Sequence, residues 1–238
     1  MAGHSKWANI QHRKGAQDKK RSSLFTKLAK EITIAAKIGD SNPDMNPRLR
    51  LAINNAKKLS MPNDNIKRAI DKAASNAAGD NYAEARYEGY GPGSVAVIVE
   101  ALTDNPNRTA PEIRATFNKA GGNMGTPGSV AFSFKKEGLI LYEKKNIDEE
   151  KIFEVAIESG ADNIETDENG YAITTAPEDF TSVMNELEKH FGEAQSAEIV
   201  WTPLNTVKLD DETKAKFEKF RDALEDLDDV QNVYSNEE

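Results

Sequence analysis

The sequence predicts an α+β protein with three domains: an N-terminal helical bundle followed by two α/β domains. Apolar side chains recur at helical spacing over residues 19–73, whereas strand-like apolar runs begin only after residue 87. Residues 138–201 then follow the order β-α-β-β-α-β, which is typical of a ferredoxin-like module. Because a β-α-β pattern stands on each side of this module, we expect the module to be inserted into the middle domain.

The expected domain boundaries follow from the same changes in pattern. The chain has 238 residues, a length that fits one to three domains. A segment rich in Ser, Asn, Ala and Gly near residues 75–86 is typical of a linker. We therefore expect a basic helical domain at 1–79, a discontinuous α/β domain at 80–135 and 203–238, and an inserted ferredoxin-like domain at 136–202.

Three amphipathic helices are expected in the first domain. The first extends from Lys19 to Ile38. Asn46-Pro47 is typical of a helix cap followed by the first helical position, and it opens a second helix that continues to Leu59. A third apolar stripe lies at 66–73. Three short helices of this kind indicate a small bundle.

The α/β part contains repeated start signals. Thr109-Ala-Pro-Glu112 and Thr175-Ala-Pro-Glu178 both have the form of a capping box, so we expect a helix to start at each. Asn169-Gly170 predicts a hairpin turn. Two further helices are expected at 148–159 and 212–227. Strands are expected at 94–102, 129–134, 139–142, 163–166, 171–174, 197–201, 206–209 and 230–234.

Composition excludes several classes of protein. The longest clean apolar run is Val95–Val99, which is far shorter than the ~20 residues of a spanning helix. Cysteine is absent, so disulfides and thiolate metal sites are excluded. The first ten residues contain no apolar stretch of the kind that a secretory signal carries. We expect a cytoplasmic protein that binds no membrane.

The net charge of −9 conceals a division between the two ends of the chain. Residues 1–75 contain 16 Lys and Arg and 6 Asp and Glu, a net charge of +10, and the remaining residues have a net charge of −19. A basic segment of this size indicates a polyanion partner, most often nucleic acid. The acidic remainder would repel the same partner, so binding is expected at one end of the molecule.

No catalytic residue, metal ligand or cofactor is predicted. The three histidines show no metal-ligand spacing, and no Gly-Lys-Ser/Thr phosphate loop occurs. The glycine-rich segments 89–94 and 121–129 precede strands, which favours turns, although their exposed amides could still contact a phosphate. The carboxylates between Asp222 and Asp229 favour a solvated acidic face over a Mg²⁺ site.

The basic arm at the N-terminus contains the candidate binding residues. Lys and Arg neutralise phosphates, and Asn and Gln can bond to base edges. Trp7 has two interpretations, a plug in the bundle core or a ring that stacks on an unpaired base. The residues predicted to contact nucleic acid are His4, Lys6, Trp7, Asn9, Gln11, His12, Arg13, Lys14, Lys19, Lys20, Arg21, Lys27 and Lys30.

The segment Gly3-His-Ser-Lys-Trp-Ala-Asn-Ile-Gln-His-Arg-Lys14 resembles the opening of the YebC/PmpR family. The resemblance covers essentially the whole chain. It departs from the family pattern at Asn63 and Pro106, where cations are expected, and at Ser94 and Met124, where Gly and Leu are expected. The resemblance recurs at 20–21, 61–66, 87–93, 100–105, 107–109, 121–123 and 223–234.

The resemblance implies a three-domain, nucleic-acid-binding regulator of gene expression without enzyme activity. Bacterial members are described as DNA-binding transcriptional regulators, and a mitochondrial relative as a translational activator. We place transcription first and a ribosome-associated, RNA-binding translation factor second, with duplex DNA or structured RNA as the partner of a monomer. Two loops are expected to contact a second partner or the same nucleic acid, through Tyr87, Tyr90, Gly91, Asn105, Asn107 and Arg108.

Overall fold

The computed structural model describes residues 21–74, 82–145 and 147–238, and it confirms the mixed helix and sheet fold class with two antiparallel sheets. The chain forms two compact units. One contains the described residues up to Ser133 together with Pro203–Glu238, and the other contains Phe134–Thr202. The finer division into three domains stays a prediction.

The first unit begins with a helical region of three helices: α1 (Arg21–Ile38), α2 (Pro47–Lys58) and α3 (Asn63–Ala74). The expected cap is confirmed, because the side chain of Asn46 accepts a hydrogen bond from the Leu49 amide and Pro47 is the first helical residue. The apolar stripes of the three helices meet in one core. Its large buried members are Ile32, Leu49, Ile53, Met61 and Ile66.

The same unit continues into a four-stranded sheet of order β3-β1-β2-β8. Its antiparallel strands are β1 (Ala83–Tyr90), β2 (Ala96–Thr103), β3 (Asn123–Met124) and β8 (Val230–Ser235). Two helices, α4 (Pro106–Lys119) and α7 (Asp211–Glu225), pack on one face of the sheet. The core between them contains Val97, Val99, Ile113, Phe117, Phe217 and Phe220.

Several predictions for the elements of this sheet domain are wrong. Residues 129–134 do not form a strand; Ala131–Ser133 is a short helical turn. Residues 206–209 contribute a single bridge from Val207 to Glu237. Strand β1 was not predicted from the sequence, because its last residues, Gly89 and Tyr90, belong to a glycine-rich segment that favours a turn.

The capping box at Thr109 is also wrong. Helix α4 begins at Pro106, after the N-cap residue Asn105, so Thr109 lies inside the helix. Proline suits the first helical position because the amide there has no partner within the helix. The Thr109 hydroxyl contacts a buried carboxylate instead, as described below.

The second compact unit has the sheet order β5-β6-β4-β7 expected of a ferredoxin-like module. The chain order is β-α-β-β-α-β, and two of the strand pairs, β4 with β6 and β5 with β6, are antiparallel. Helical residues such as Ile152, Val155, Val183 and Leu187 are fully or almost fully buried. The elements are β4 (Phe134–Glu143), α5 (Glu149–Ser159), β5 (Asn163–Thr166), β6 (Gly170–Thr175), α6 (Phe180–Phe191) and β7 (Ser196–Pro203).

Of the helix and turn signals predicted in this unit, two are confirmed and one is wrong. Helix α5 begins as expected, because the Asp148 side chain accepts a hydrogen bond from the Lys151 amide. The expected hairpin is present, and the Asp167 side chain accepts from the amides of Asn169 and Gly170. The capping box at Thr175 is wrong, since Thr175 is the last residue of β6 and helix α6 begins at Phe180.

Candidate nucleic-acid interface

Most residues of the predicted basic arm lie outside the described residues. This holds for His4, Lys6, Trp7, Asn9, Gln11, His12, Arg13, Lys14, Lys19 and Lys20. Arg21 is the first residue of helix α1. The contact role of these residues stays a prediction.

Lys27 and Lys30 of helix α1, two of the predicted nucleic-acid contacts, make hydrogen bonds within the protein, and their contact with nucleic acid stays a prediction. The Lys27 Nζ donates to the main-chain oxygen of Glu225 at 2.6 Å, and the Lys30 Nζ donates to that of Asp228 at 2.8 Å. Glu225 is the last residue of α7, where helical carbonyls lack partners within the helix, and Asp228 lies in the turn that follows. Burial lowers the pKa of Lys27, and the neighbouring carboxylate of Glu225 opposes this shift.

Asp229 is the centre of a buried network that joins the helical region to the sheet domain. Its Oδ1 accepts from the Lys30 Nζ at 2.8 Å. Its Oδ2 accepts from Arg108 at 2.7 Å, from the Thr109 hydroxyl at 2.7 Å and from the Thr103 hydroxyl at 3.2 Å. The carboxylate is 3% exposed. We call these five side chains the Asp229 network; it holds helix α1 against β2, α4 and the turn before β8.

Arg48 of helix α2 makes a second tie between the same two regions. Its guanidinium bonds to Glu31 of α1 at 2.8 Å and to Glu84 of β1 at 2.6 Å. Although burial opposes the charged form, the two carboxylates raise the pKa of Arg48 above its ordinary value. Both contacts attach the helical region to the same end of the β1–β2 pair, because Glu84 pairs with Leu102, next to Thr103 of the Asp229 network.

The residues of the two expected contact loops lie mostly in regular structure. Tyr87 and Tyr90 belong to β1, and Asn107 and Arg108 are in the first turn of α4. Their predicted place in loops is wrong, except for Gly91 and the helix cap Asn105. Gly91 is packed so closely that an added Cβ would lie 2.7 Å from the ring of Phe220. These sequence motifs thus have structural roles, and their contact with nucleic acid stays a prediction.

Glu88 closes the loop before β4, and sequence reasoning missed it. The carboxylate is 1% exposed, and its Oε2 accepts from the amides of Val130 at 3.0 Å and Ala131 at 2.9 Å. These two amides, which directly follow the glycine-rich segment 121–129, are therefore occupied. Burial alone would raise the pKa of Glu88, but the hydrogen bonds from the loop amides outweigh burial and lower it.

Replacing Glu88 with alanine is expected to lower the free energy of unfolding by about 2 kcal/mol, because two buried amides lose their acceptor. Hydrogen exchange at Val130 and Ala131 should accelerate in the variant. Glu112→Ala is the matched control, since Glu112 is exposed on α4. Unchanged exchange at both amides would show that Glu88 does not hold the loop.

Helix α2 presents a cationic face that the sequence analysis did not single out. The helix contains Arg48, Arg50, Lys57 and Lys58 and no acidic residue. Its buried stripe is Leu49, Ala52, Ile53 and Ala56, and its exposed cations include Arg48, Lys57 and Lys58. The signal was available, because an acid-free helix is unusual in a chain with 30% charged residues. Helix α3, by contrast, exposes Asp64 and Asp71 beside its cations.

The described ranges contain neither a cluster of metal ligands nor a membrane-spanning helix. Across residues 21–74, 82–145 and 147–238, no three His, Asp or Glu side chains are grouped as metal ligands. None of the helices in these ranges has the length and apolar character needed to cross a membrane.

Comparison with known proteins identifies the family. Residues 5–76 match the family described as the TACO1/YebC protein N-terminal domain, and residues 82–237 match the TACO1/YebC second and third domain. The crystal structure of the conserved hypothetical protein Aq1575 from Aquifex aeolicus is 46% identical, with a TM-score of 0.81, and the match covers 92% of this chain and 90% of that chain. Both halves of the chain match in order and over nearly their whole length, so the protein belongs to the TACO1/YebC family.

Proposed function

We propose that this protein is a cytoplasmic, nucleic-acid-binding regulator of gene expression that acts as a monomer through its basic N-terminal part. The observation that carries the proposal is the separation of charge. Residues 1–75 have a net charge of +10, and the outer face of α2 presents cations without any acidic neighbour on the same helix. A phosphate backbone is the partner that such a surface recognises most readily.

Three cations of residues 1–75 have a structural role in the described part of the chain. Lys27, Lys30 and Arg48 stabilise the attachment of the helical region to the sheet domain. The remaining cations of residues 1–75 include the arm and the outer face of α2. In this proposal the arm cations contact phosphates, and Asn9, Gln11 and His12 contact bases or sugars.

Structured RNA is the partner that the helical region supports better, which places translation control ahead of the transcription role favoured by the sequence. A helix that reads the major groove of DNA places its base-contacting side chains on one exposed face. Here α3 exposes Asp64 and Asp71 on the face that carries Lys67 and Arg68, and carboxylates there would repel the phosphates on either side of a groove, so α3 does not suit the role of a groove-reading helix. An irregular basic arm with Trp7 suits loops and bulges of RNA.

A variant that lacks four cations of the arm tests the binding. In Arg13→Ala, Lys14→Ala, Lys20→Ala, Arg21→Ala, the slope of log affinity against log salt is expected to fall by about 3 to 4, because each lost phosphate contact removes ~0.7–0.9. Wild-type affinity should fall ~10³–10⁵-fold between 50 and 200 mM salt if 6–10 phosphates are contacted. Binding is measured by fluorescence anisotropy with a labelled RNA hairpin and a duplex DNA of the same length.

The matched control removes four exposed lysines from other parts of the chain: Lys145, Lys151, Lys189 and Lys216. It changes the net charge equally, so it should leave the slope unchanged. A wild-type affinity that does not depend on salt would contradict the proposal. Crosslinking in cells then separates the two roles: discrete promoter sites indicate transcription, and one location in ribosomal RNA indicates translation.

A further inference from the structure

Two aromatic rings are exposed next to the loop that Glu88 holds. Phe132 is 71% exposed and Tyr90 is 40% exposed, and they are the aromatic members of the large hydrophobic side chains exposed in the described ranges. Leu204, also exposed, donates its amide to the main-chain oxygen of Ser133 at 2.9 Å. Single exposed apolar residues are common, but an exposed phenylalanine on a fixed backbone is informative.

The backbone that carries Phe132 is fixed on both sides. Before it, the amides of Val130 and Ala131 are bonded to the buried Glu88 carboxylate. After it, the Ser133 amide donates to the Val130 oxygen at 2.9 Å, and the Ser133 oxygen accepts from Leu204. The Tyr90 hydroxyl lies 3.5 Å from the Ser129 oxygen of the same loop. Because the backbone that carries the ring is already fixed, binding a partner requires little further ordering of this loop.

The segment that carries the ring contains no charged residue. Residues 121–134 contain no Asp, Glu, Lys or Arg, although 30% of the whole chain is charged. No carboxylate of this segment would therefore repel a phosphate group, and the nearby Glu88 carboxylate is buried. A flat, exposed aromatic face is a surface on which a base can stack.

We propose that Phe132, with Tyr90 beside the same loop, is a stacking platform for an unpaired nucleobase. The proposal rests on the proposed function and adds to it a contact that recognises the base rather than the phosphate. A single base fits this patch better than a protein does, because stable protein interfaces bury ~800 Å² on each partner and this patch offers three apolar side chains. Bases in a duplex hide their faces, so the partner is an unpaired base in a loop, bulge or single strand.

The test compares Phe132→Ala with wild type on three labelled probes: an RNA hairpin with a purine loop, a single-stranded DNA of the loop sequence, and a fully paired RNA duplex. Loss of one stacked base is expected to weaken binding by about 5- to 150-fold on a probe with unpaired bases. The salt slope should not change, because no phosphate contact is removed. Phe132→Trp should restore affinity.

Ile157→Ala is the matched control, since Ile157 is 66% exposed in the Phe134–Thr202 unit and carries no aromatic ring. It should bind every probe as wild type does. Because Phe132 is exposed, Phe132→Ala should also melt at the wild-type temperature. A loss confined to the RNA hairpin would indicate that the sugar contributes, and a loss on both unpaired probes would indicate the base alone; each supports the platform.

Wild-type affinity of Phe132→Ala for both unpaired probes would overturn the platform, as would an equal loss on the duplex. The proposed function would still stand if the arm variant lost binding in the same assay. If wild-type protein bound none of the probes, the proposed function itself would fail.

Discussion

Asp229→Asn is expected to lower the free energy of unfolding by about 3 kcal/mol, because removing one partner of a buried ion pair leaves the others uncompensated. The substitution preserves the size of the side chain but removes the charge that Lys30 and Arg108 share. It also weakens the bonds from the two threonine hydroxyls. Urea-induced unfolding at pH 7 measures the change as a shift of the midpoint at constant slope.

The pH dependence of stability should change as well. Burial by itself would raise the pKa of Asp229, but hydrogen bonds from Arg108, Lys30 and Thr109 outweigh burial and hold the pKa well below its usual range. A carboxyl group whose pKa is lower in the folded state stabilises the fold above its unfolded pKa of about 3.9 and loses this contribution as the pH falls toward the folded pKa. The wild-type protein should lose this stability below about pH 4, whereas Asp229→Asn should lack that part of the profile.

Asp228→Asn is the matched control, because Asp228 is the adjacent residue and its side chain is exposed. It removes the same charge and should change stability by less than about 0.5 kcal/mol, as is usual for surface substitutions. Equal losses in the two variants would show that the effect arises from net charge and that the Asp229 network does not anchor helix α1.

Gly89→Ala is expected to cost about 3 kcal/mol, the upper end of the usual cost of overpacking a well-packed site. Strand β3 pairs with β1 so closely at Gly89 that an added Cβ would overlap the main-chain oxygen of Asn123. It would also lie 2.8 Å from the ring of Phe117, which is fully buried. Because one obstacle is backbone, relaxation requires β3 to separate from β1.

Gly160→Ala separates this steric effect from the conformational cost of losing a glycine. Gly160 has φ +99°, but nothing lies within 4 Å of an added Cβ. The expected cost there is about 1 kcal/mol, from the left-handed backbone alone. Thermal unfolding of both variants measures the difference, and equal costs would exclude close packing of β1 and β3 as the reason for Gly89.

The sequence was most informative where local pattern decides structure. The helices α1–α3 follow from apolar spacing, and the cap at Asn46 follows from the Asn-Pro pair. The ferredoxin-like unit follows from the order of its elements, because that order restricts the topologies available to the chain. The predicted boundaries were wrong where a residue has a role that local pattern does not show. Thr109 is an example, because its hydroxyl donates to the Asp229 carboxylate and does not cap a helix.

The candidate site was harder to predict because its contacts join distant parts of the chain. Lys30 and Asp229 are 199 residues apart, and no local pattern indicates that they meet. Lys27 and Lys30 belong to a basic segment, so composition alone groups them with residues that bind phosphate. Strand β1 was not predicted for a similar reason. Its residue Gly89 favours a turn in the sequence, but the close approach of β3, which begins 34 residues later, is what requires a glycine there.

The Asp229 network has a consequence for the order in which the protein matures during synthesis. Strand β8 and Asp229, whose carboxylate anchors helix α1, lie within residues 229–235. The Phe134–Thr202 unit is complete in sequence before them, and domains generally fold as units while the chain is still being made. The helical region, although translated before that unit, thus receives its anchor only after the whole unit has been synthesised.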